Sequence, residues 1–422
     1  VQDAFIPLMC WLTIESHCDA NRDAVVGLFK DPAAWTPAIT RQWILPRTMK
    51  RFAAKGGHAD YLACAQLLEM AHNADDRRIL MEGFEEAFKG RALPPLPTEL
   101  AAALVKSGHA SPMLRVRLGD PEAIASALKI AADPKAKYED RLTSATLFGE
   151  VKTPQAIPIL IAIAKEETRP ELQKAALTAL LLYDDSAIGS QVAGFYVSLA
   201  PTVKPSALNL LASRPAWSMA FLKLVESDAI PATVPADVAT RLRSQDDPHV
   251  AALAVKLFPA PRAPAKTERI AEVLRVRKII EAGAGNPYKG EATFMQRCAA
   301  CHTLFHKGGK IGPNLTSYQR DDLGTMLISI VDPSAEIREG FQNYMLRTKD
   351  GRTLSGFLSD SDAQMVALRG LDGEDVRVSR AEIAVLKAMP TSIMPEGLLE
   401  GLDDADLRNF FAYLRIPQPI SK

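Results

Sequence analysis

The sequence predicts a mainly α-helical protein of two parts, with a short β-rich segment inside the second part. Three observations support this prediction. Apolar residues recur at helical spacing over residues 1–258. A Pro- and Ala-rich stretch at residues 259–267 separates them from residues 268–422. Within that C-terminal part, at about residues 340–388, the spacing changes to that of short strands.

The first part contains short apolar helical segments separated by Pro, Asp and Gly, and it contains no motif for chemistry. Four of its segments resemble one another at irregular intervals, namely residues 154–164, 171–182, 205–213 and 249–258. We expect degenerate HEAT-type helix pairs, each burying its apolar face on a neighbour. A plain α-helical bundle is the alternative. Either arrangement predicts a scaffold or a partner surface rather than a catalytic site.

The stretch at residues 259–267 should be an extended, semi-rigid linker because of its Pro and Ala content. A helix over residues 268–281 opens the second part, and the sequence Ala-Gly-Ala-Gly at residues 282–285 ends it. Because each part would have its own core, we expect proteolysis at the linker to release a folded C-terminal fragment of about 160 residues.

One motif in the second part carries chemistry, Cys298-Ala299-Ala300-Cys301-His302. Two cysteines three residues apart, with a histidine directly after the second, match the C-x-x-C-H attachment site of a c-type haem. The two thiols add across the vinyl groups of one haem, and the next residue supplies an imidazole to the iron. Buried thiols beside a surface histidine are the alternative. We therefore predict one covalent haem c, held by Cys298, Cys301 and His302.

A second iron ligand is available in residues 391–397, which read Thr-Ser-Ile-Met-Pro-Glu-Gly. Met394 lies there in a loop with Pro and Gly, where a core-filling methionine is less expected. Thioether sulfur suits haem iron and raises its reduction potential. We predict Met394 as the distal ligand. Met389, which precedes Pro390 in the same loop, is the alternative.

The residues before the motif predict two helices that cross closely. Gly290 and Phe294 lie eight and four residues before Cys298, so a helix places all three on one face. A terminal helix at about residues 403–414 carries several aromatic and Leu residues. Because glycine has no Cβ, a helix containing Gly290 can approach an aromatic face of this terminal helix closely.

After the motif, residues 308–315 form a glycine-rich stretch, Gly-Gly-Lys-Ile-Gly-Pro-Asn-Leu. Glycines permit a close approach of the backbone to a flat ligand. A carbonyl near Pro313 can accept the outer N–H of His302 and fix its tautomer. We therefore include Pro313 among the cofactor-binding residues.

Between this stretch and Met394, residues 340–388 predict short strands. Turn signals at residues 349–351 (Lys-Asp-Gly) and 371–373 (Leu-Asp-Gly) separate apolar runs, which is typical of β-hairpins. Four or five strands at this spacing predict a small β-barrel inserted into the haem-binding part. The insertion is either a docking surface beside the haem edge or a spacer that holds the loop of Met394, and we favour the spacer.

The run from Gly290 to Leu414 resembles the haem-binding domain described in Planctomycetes and Verrucomicrobia. The shared order is C-A-A-C-H, I-G-P-N-L-T, I-S-I-V-D-P-S, D-G-R and S-I-M-P-E-G-L, followed by a terminal helix. This resemblance covers under a third of the chain. It implies a class I-like cytochrome c with Met394 as distal ligand. The predicted fold is therefore a HEAT-like α-helical repeat domain followed by a class I-like cytochrome c domain carrying a small inserted β-barrel.

Proteins of this family often carry the haem domain at the C-terminus, behind a helical-repeat region and a β-propeller that resembles sugar dehydrogenases. The opening of this chain, residues 3–15, is similar to the start of that helical region. The resemblance implies a partner dehydrogenase or an upstream propeller domain as electron donor, and a downstream electron acceptor.

Two function classes follow from these observations. The first is an electron-transfer module with His302 and Met394 on the iron, serving an oxidoreductase rather than catalysing a reaction itself. The second is a haem enzyme or gas sensor with an open or displaceable distal site. A firmly bound thioether would favour the first class, because it blocks access to the iron.

Composition limits the partners and the compartment. Lys and Arg total 50, as do Asp and Glu, so no basic excess favours nucleic acid. No apolar run approaches the length of a membrane span. Haem is attached to C-x-x-C-H outside the cytoplasm, so we expect a periplasmic or otherwise exported protein. No signal peptide is present, and the chain begins at Val1, so we expect a mature form or a piece of a longer protein.

Three further cysteines, Cys10, Cys18 and Cys64, have no partner that the sequence identifies. If residues 3–18 form one helix, Cys10 and Cys18 are too far apart along it for a disulfide. Cys64 could pair with either one. We expect all three to be core residues.

Overall fold

The computed structural model describes residues 3, 5–89, 93–94, 96–260, 262, 264–362 and 364–420. Contacts divide the chain into two units, residues 1–163 and 164–422. The predicted linker at residues 259–267 therefore lies inside the second unit, and two of its residues, Pro261 and Ala263, lie outside the described residues.

The first unit consists of helices and turns in its described residues. Its helices are α1 (Ile6–His17), α2 (Arg22–Gly27), α3 (Leu45–Lys55), α4 (His58–Met70), α5 (Ala74–Ala87), α6 (Thr98–Lys106), α7 (Pro112–Arg117), α8 (Pro121–Ala132), α9 (Tyr138–Leu147) and α10 (Ala156–Glu166), the last running into the second unit. Short 3₁₀ turns and a π-helical turn (Thr40–Ile44) connect α2 to α3. An apolar core that includes Phe52, Leu67 and Phe84 fills this unit.

The cysteines of this unit are free thiols in different surroundings. Cys18 and Cys64 are fully buried, as expected for core residues. The prediction that Cys10 is a core residue is wrong, because its side chain is exposed. Helix α1 buries Pro7 and Trp11 and packs Ile14 partly against the core, whereas Cys10 lies on its exposed side.

The second unit begins with a run of helices after α10. These are α11 (Pro170–Leu180), α12 (Ser186–Phe195), α13 (Lys204–Leu211), α14 (Pro215–Glu226), α15 (Ala236–Arg243) and α16 (Pro248–Leu257). Alternate helices touch, α11 with α13, α12 with α14, and α14 with α16. Contact between helices two apart is typical of stacked helix pairs. HEAT-like repeats remain a prediction.

The rest of the second unit contains the C-x-x-C-H motif. Its helices are α17 (Lys266–Glu281), α18 (Pro287–Arg297), α19 (Leu323–Val331) and α20 (Asp404–Arg415), and a small hairpin of β1 (Thr303–Leu304) and β2 (Lys307–Gly308) follows the motif. The first and last of these helices lie where the apolar spacing predicted them. Over the described residues, every helix is too short or too polar to cross a lipid bilayer.

Five antiparallel strands form a sheet between α19 and α20. They are β3 (Asn343–Thr348), β4 (Thr353–Ser361), β5 (Met365–Arg369), β6 (Asp375–Ser379) and β7 (Ile383–Ala388), in the order β6-β5-β4-β3-β7. Both predicted hairpins are confirmed, because the two Gly-containing turns connect β3 to β4 and β5 to β6.

The predicted β-barrel is wrong. Strands β6 and β7 are the two edges of an open sheet, and no ladder joins them over the residues that the structure describes. The sheet does not need to close into a barrel, because one of its faces is covered by a helix. Helix α15 packs against β4, so the helices before the linker supply the covering layer that closure would otherwise provide.

Polar contacts join the sheet to these helices. The backbone N–H of Thr353 donates to the carbonyl oxygen of Ser213 at 2.7 Å. The Arg214 guanidinium, with 7% of its side chain exposed, donates to the carbonyl of Asp350 at 2.8 Å and to its carboxylate at 2.7 Å. Burial alone would raise the pKa of Asp350, but hydrogen bonds from Thr348 and Arg214 hold that pKa below its ordinary value.

A second set of contacts lies beside the first. Arg241 has 1% of its surface exposed and donates to the side-chain oxygen of Asn209 at 2.5 Å. Asn209 in turn donates to the carboxylate of Asp372 at 3.4 Å. Arg347 on β3 donates to the carbonyl of Ser244 at 2.6 Å. Such buried networks define one relative placement of their elements. These bonds join residues before position 259 to residues after position 267. That the segments on the two sides fold independently remains a prediction.

The sequence alone predicts release of the C-terminal fragment after proteolysis at the linker. Because these contacts are independent of the linker, the structure instead predicts that the two pieces stay associated when the chain is cut within residues 259–267. Arg214→Ala should weaken their association by about 2 kcal/mol, since it removes the partner of Asp350 that comes from the helices and leaves only Thr348 and Arg352, which belong to the sheet. Size-exclusion chromatography of the cut protein, with a urea titration, measures both effects. Lys256→Ala, which removes a solvent-exposed ion pair elsewhere, is the control and should change little. Separation of the wild-type pieces in native buffer would contradict the account.

Candidate functional site

The C-x-x-C-H motif begins where α18 ends and α20 crosses it. A Cβ atom at Gly290 would lie 1.9 Å from the carbonyl oxygen of Asn409, so a larger residue cannot occupy this position without separating the helices. The rings of Phe294 and Tyr413 pack on the same contact, with centroids 5.5 Å apart. The predicted close crossing of these helices is confirmed, and it carries Cys298, the C-cap of α18, to the end of the crossing.

The motif itself is one tight turn. The N–H of Cys301 donates to the carbonyl of Cys298 at 3.1 Å, and the N–H of His302 donates to the same carbonyl at 2.9 Å. Both cysteines are free and partly exposed. Burial raises the pKa of Cys298 to about 12 and raises that of Cys301 above its ordinary value, so both side chains are thiols at neutral pH.

The glycine-rich loop folds back onto this turn. A Cβ atom at Gly309 would lie 2.3 Å from the carbonyl oxygen of Ala300, and one at Gly312 would lie 2.6 Å from Cε1 of His302. The N–H of Gly312 donates to the carbonyl of Cys301 at 2.8 Å. Glycine is therefore required at positions 309 and 312 for the loop to lie against the motif.

The side chain of His302 is oriented by the backbone of Pro313. Its Nδ1 lies 2.9 Å from the carbonyl oxygen of Pro313. A carbonyl only accepts hydrogen bonds, so Nδ1 carries the proton and Nε2 carries the lone pair. Burial lowers the pKa of His302, and the hydrogen bond to Pro313 opposes this only in part. A neutral imidazole with Nε2 free is the form that binds metals.

Three residues that the sequence did not single out hold the turn after the motif in place, namely Phe305, Thr316 and Arg320. Phe305 has a φ of 58°, its N–H donates to the hydroxyl of Thr316 at 2.5 Å, and the Arg320 guanidinium lies 4.9 Å from the centroid of its ring. A positive φ outside glycine is uncommon and is retained only where contacts hold it. A glycine is the usual signal for such a turn, and Phe305 and His306 provide none.

The structure places Met394 in the loop between β7 and α20, with its side chain partly exposed. The N–H of Met394 donates to the hydroxyl of Ser392 at 3.1 Å, and the N–H of Ser392 donates to the hydroxyl of Ser334 at 3.1 Å. Met389 directly follows β7, and its N–H donates to the carbonyl of Asn343 at 2.8 Å. Met389 therefore extends the pairing of the sheet, whereas Met394 lies in the loop beyond it.

Hydrogen bonds bring four of the five predicted site residues together, as the motif turn joins Cys298, Cys301 and His302 and the imidazole reaches Pro313. Met394 is tied instead to the segment containing Ser334. Its role as a ligand remains a prediction.

The donor set fits a covalently attached haem. It offers two thiols on one turn, an imidazole with its proton on Nδ1, and a glycine loop in which Gly312 lies directly against the ring of His302. No cluster of three or more His, Cys, Asp or Glu side chains that could hold a bare metal ion occurs in the part of the chain that the structure describes.

Comparison with protein families gives one match. Residues 288–368 match the family model of cytochrome c. The matched span begins in α18, includes the C-x-x-C-H motif, Pro313 and α19, and ends in β5. It covers about a fifth of the chain. A comparison with curated proteins returned no match.

Gly312→Ala should reduce the amount of haem bound per polypeptide, because the added methyl group would displace the imidazole of His302 from its bond with Pro313. We expect a loss of about 1–3 kcal/mol of stability as well. Absorbance per polypeptide and thermal unfolding measure the two effects. Gly194→Ala is the control, since no atom lies within 4 Å of a Cβ there and alanine favours the helix. Wild-type haem content in Gly312→Ala would contradict this role of the loop.

Proposed function

We propose, from the cytochrome c match over residues 288–368, that this protein transfers electrons through one covalently bound haem c. His302 is the proximal ligand of the iron and Met394 is the distal ligand. The observation that carries the proposal is the neutral imidazole of His302, held by Pro313 directly after two thiols on one turn. This arrangement lies within the matched span.

Each residue has a chemical role in this proposal. The haem supplies one-electron chemistry when it is bound. Cys298 and Cys301 attach it through thioether bonds, so that it cannot exchange with free haem. The hydrogen bond from Nδ1 of His302 to Pro313 makes Nε2 a better donor to iron. The thioether of Met394 stabilises the reduced state and raises the potential, which suits acceptance of electrons from a dehydrogenase.

The choice of Met394 over Met389 is supported by what holds each of them. Both backbone polar groups of Met389 are hydrogen-bonded. Its N–H donates to the carbonyl of Asn343, and its carbonyl accepts from the side-chain amide of Gln342 at 2.9 Å. This places the Met389 backbone in the ladder of the sheet. Met394 lies beyond the sheet and precedes Pro395 in the loop. The hydrogen bond to Ser392 holds its backbone N–H and leaves the thioether available to bind iron.

The helices before the linker act, in this proposal, as a HEAT-like scaffold for the haem domain. The electron donor is a dehydrogenase domain or partner, and a downstream acceptor receives the electrons. The resemblance of residues 290–414 to the haem-binding domain of Planctomycetes and Verrucomicrobia supports both assignments. The protein is periplasmic or otherwise exported, because haem is attached to C-x-x-C-H motifs outside the cytoplasm.

Covalent attachment predicts that the haem remains with the polypeptide after denaturation. Acid–acetone extraction should leave the colour in the protein pellet, and mass mapping should place the added mass on the peptide containing Cys298 and Cys301. Cys301→Ala should lower the haem content strongly, since one of the two thioether bonds is lost, whereas Cys10→Ala should not. Colour in the organic phase of the wild-type extract would contradict the assignment.

The distal ligand is tested by paired methionine variants. Met394→Ala should abolish the sulfur-to-iron charge-transfer band of the oxidised protein, lower the potential and allow the ferrous iron to bind carbon monoxide, because the sixth position is opened. Met389→Ala should leave all three close to wild type. If wild-type ferrous protein binds carbon monoxide readily, or if Met394→Ala keeps the band, the simple electron carrier fails and a haem enzyme or gas sensor becomes the better proposal.

A further inference from the structure

An arginine of α17 holds the loop that contains Met394. The guanidinium of Arg269 lies 2.7 Å from the carboxylate of Glu396, two residues after Met394. The same guanidinium lies 3.6 Å from the carboxylate of Asp332, at the end of α19. All three charged side chains are partly exposed, at 22% for Arg269, 35% for Glu396 and 21% for Asp332. Arg269 therefore bridges two segments that are remote in sequence.

A hydrogen bond joins the same two segments independently. Ser334 lies two residues after Asp332, and its hydroxyl accepts the N–H of Ser392. The hydroxyl of Ser392 then accepts the N–H of Met394. The segment after α19 and the loop of Met394 thus lie side by side, and Arg269 ties the far end of both to α17.

A second arginine fixes the end of the loop. The guanidinium of Arg297, next to Cys298, donates to the carbonyls of Leu398 and Glu400, each at 2.8 Å. The residues that Arg297 binds lie four and six positions after Met394 in the sequence. Between the anchor at Arg297 and the sheet, Arg269 supplies the ion pair nearest in sequence to Met394.

The ion pairs of Arg269 differ from those of its neighbours on α17. Arg275 pairs with Glu272 at 2.7 Å, and Arg277 pairs with Glu281 at 3.3 Å, both within the helix. Such pairs affect the helix and little else. Arg269, in contrast, binds two acidic groups outside its own helix.

We propose that Arg269 is a positioning residue for the distal ligand, and that it keeps the thioether of Met394 in place by bridging Glu396 and Asp332. This inference rests on the proposed function. Thioether sulfur is a weak ligand of iron, so the equilibrium between bound and released Met394 depends on how firmly the protein holds the loop. Loss of the two partly exposed contacts of Arg269 should shift that equilibrium by about fivefold.

The test compares Arg269→Ala with Arg275→Ala in the full-length, haem-loaded protein. Arg275 is a matched control, because it is also an arginine of α17, but its carboxylate partner, Glu272, lies in the same helix. Arg269→Ala should speed hydrogen exchange of the Ser392 and Met394 amides by about fivefold. Carbon monoxide binding to the ferrous protein should accelerate by a similar factor, and the charge-transfer band should weaken. Arg275→Ala should leave all three readouts at wild-type values.

A conservative variant and a charge exchange complete the test. Glu396→Gln should reproduce the effects in a loop that keeps its shape, which also covers the case in which Arg269→Ala fails to fold. Exchanging the two charges, by Arg269→Glu together with Glu396→Arg, should restore part of the wild-type behaviour.

Two results would overturn the positioning role. One is exchange of the loop amides that is no faster in Arg269→Ala or Glu396→Gln than in Arg275→Ala, whatever the spectrum shows. The other is faster exchange of the loop amides while carbon monoxide binding and the charge-transfer band stay at wild-type values. Motion of the loop would then have no effect on binding of the Met394 thioether to iron. Failure of the proposed function has a separate readout, the spectrum of Met394→Ala, so the two failures are distinguishable.

Discussion

The hydrogen bond from His302 to the carbonyl of Pro313 determines what this site can do. It assigns the proton to Nδ1 and leaves Nε2 as the donor. The bond forms only if the loop after the motif returns to the imidazole, which requires glycine at position 312. The motif in turn is held by the crossing of α18 and α20, which requires glycine at position 290. Gly290 and Gly312, which have no Cβ, are therefore both needed to orient Nε2 of His302.

Local signals in the sequence were sufficient to predict this part of the structure. Glycines mark the close approaches at positions 290 and 312, and Asp-Gly turns mark the two hairpins, because each signal reports the conformation of its own few residues. The open sheet and its partners were not predictable in this way. Arg214 and Asp350 are 136 residues apart, and each looks like a surface charge in its own segment. Their pairing depends on how the chain packs, which no local pattern reports.

The same distinction applies to the loop of Met394 and to the first helix. Pro395 and Gly397 indicate a loop, and the structure contains one. The arginine that bridges Glu396 and Asp332 lies on α17, far upstream in sequence. Cys10 was expected in the core because of its residue type, yet α1 buries only a narrow strip of its surface. Residue type predicts average burial, whereas the packing of the particular helix decides it.

The sheet connects the helices before residues 259–267 to the segment that contains Met394. It is hydrogen-bonded to residues of α13–α15 and of the turn between α13 and α14, and β7 leads into the loop of Met394. The central proposal is that Met394, among 12 methionines, would be the second protein ligand of the haem iron beside His302. Proton NMR of the reduced, haem-loaded protein with ¹³C-labelled methionine methyl groups tests it most directly. The account predicts one methyl signal shifted far upfield by the haem ring current and assigned to Met394. Ordinary shifts for all methionine methyl groups, or a shifted signal from Met389, would contradict it.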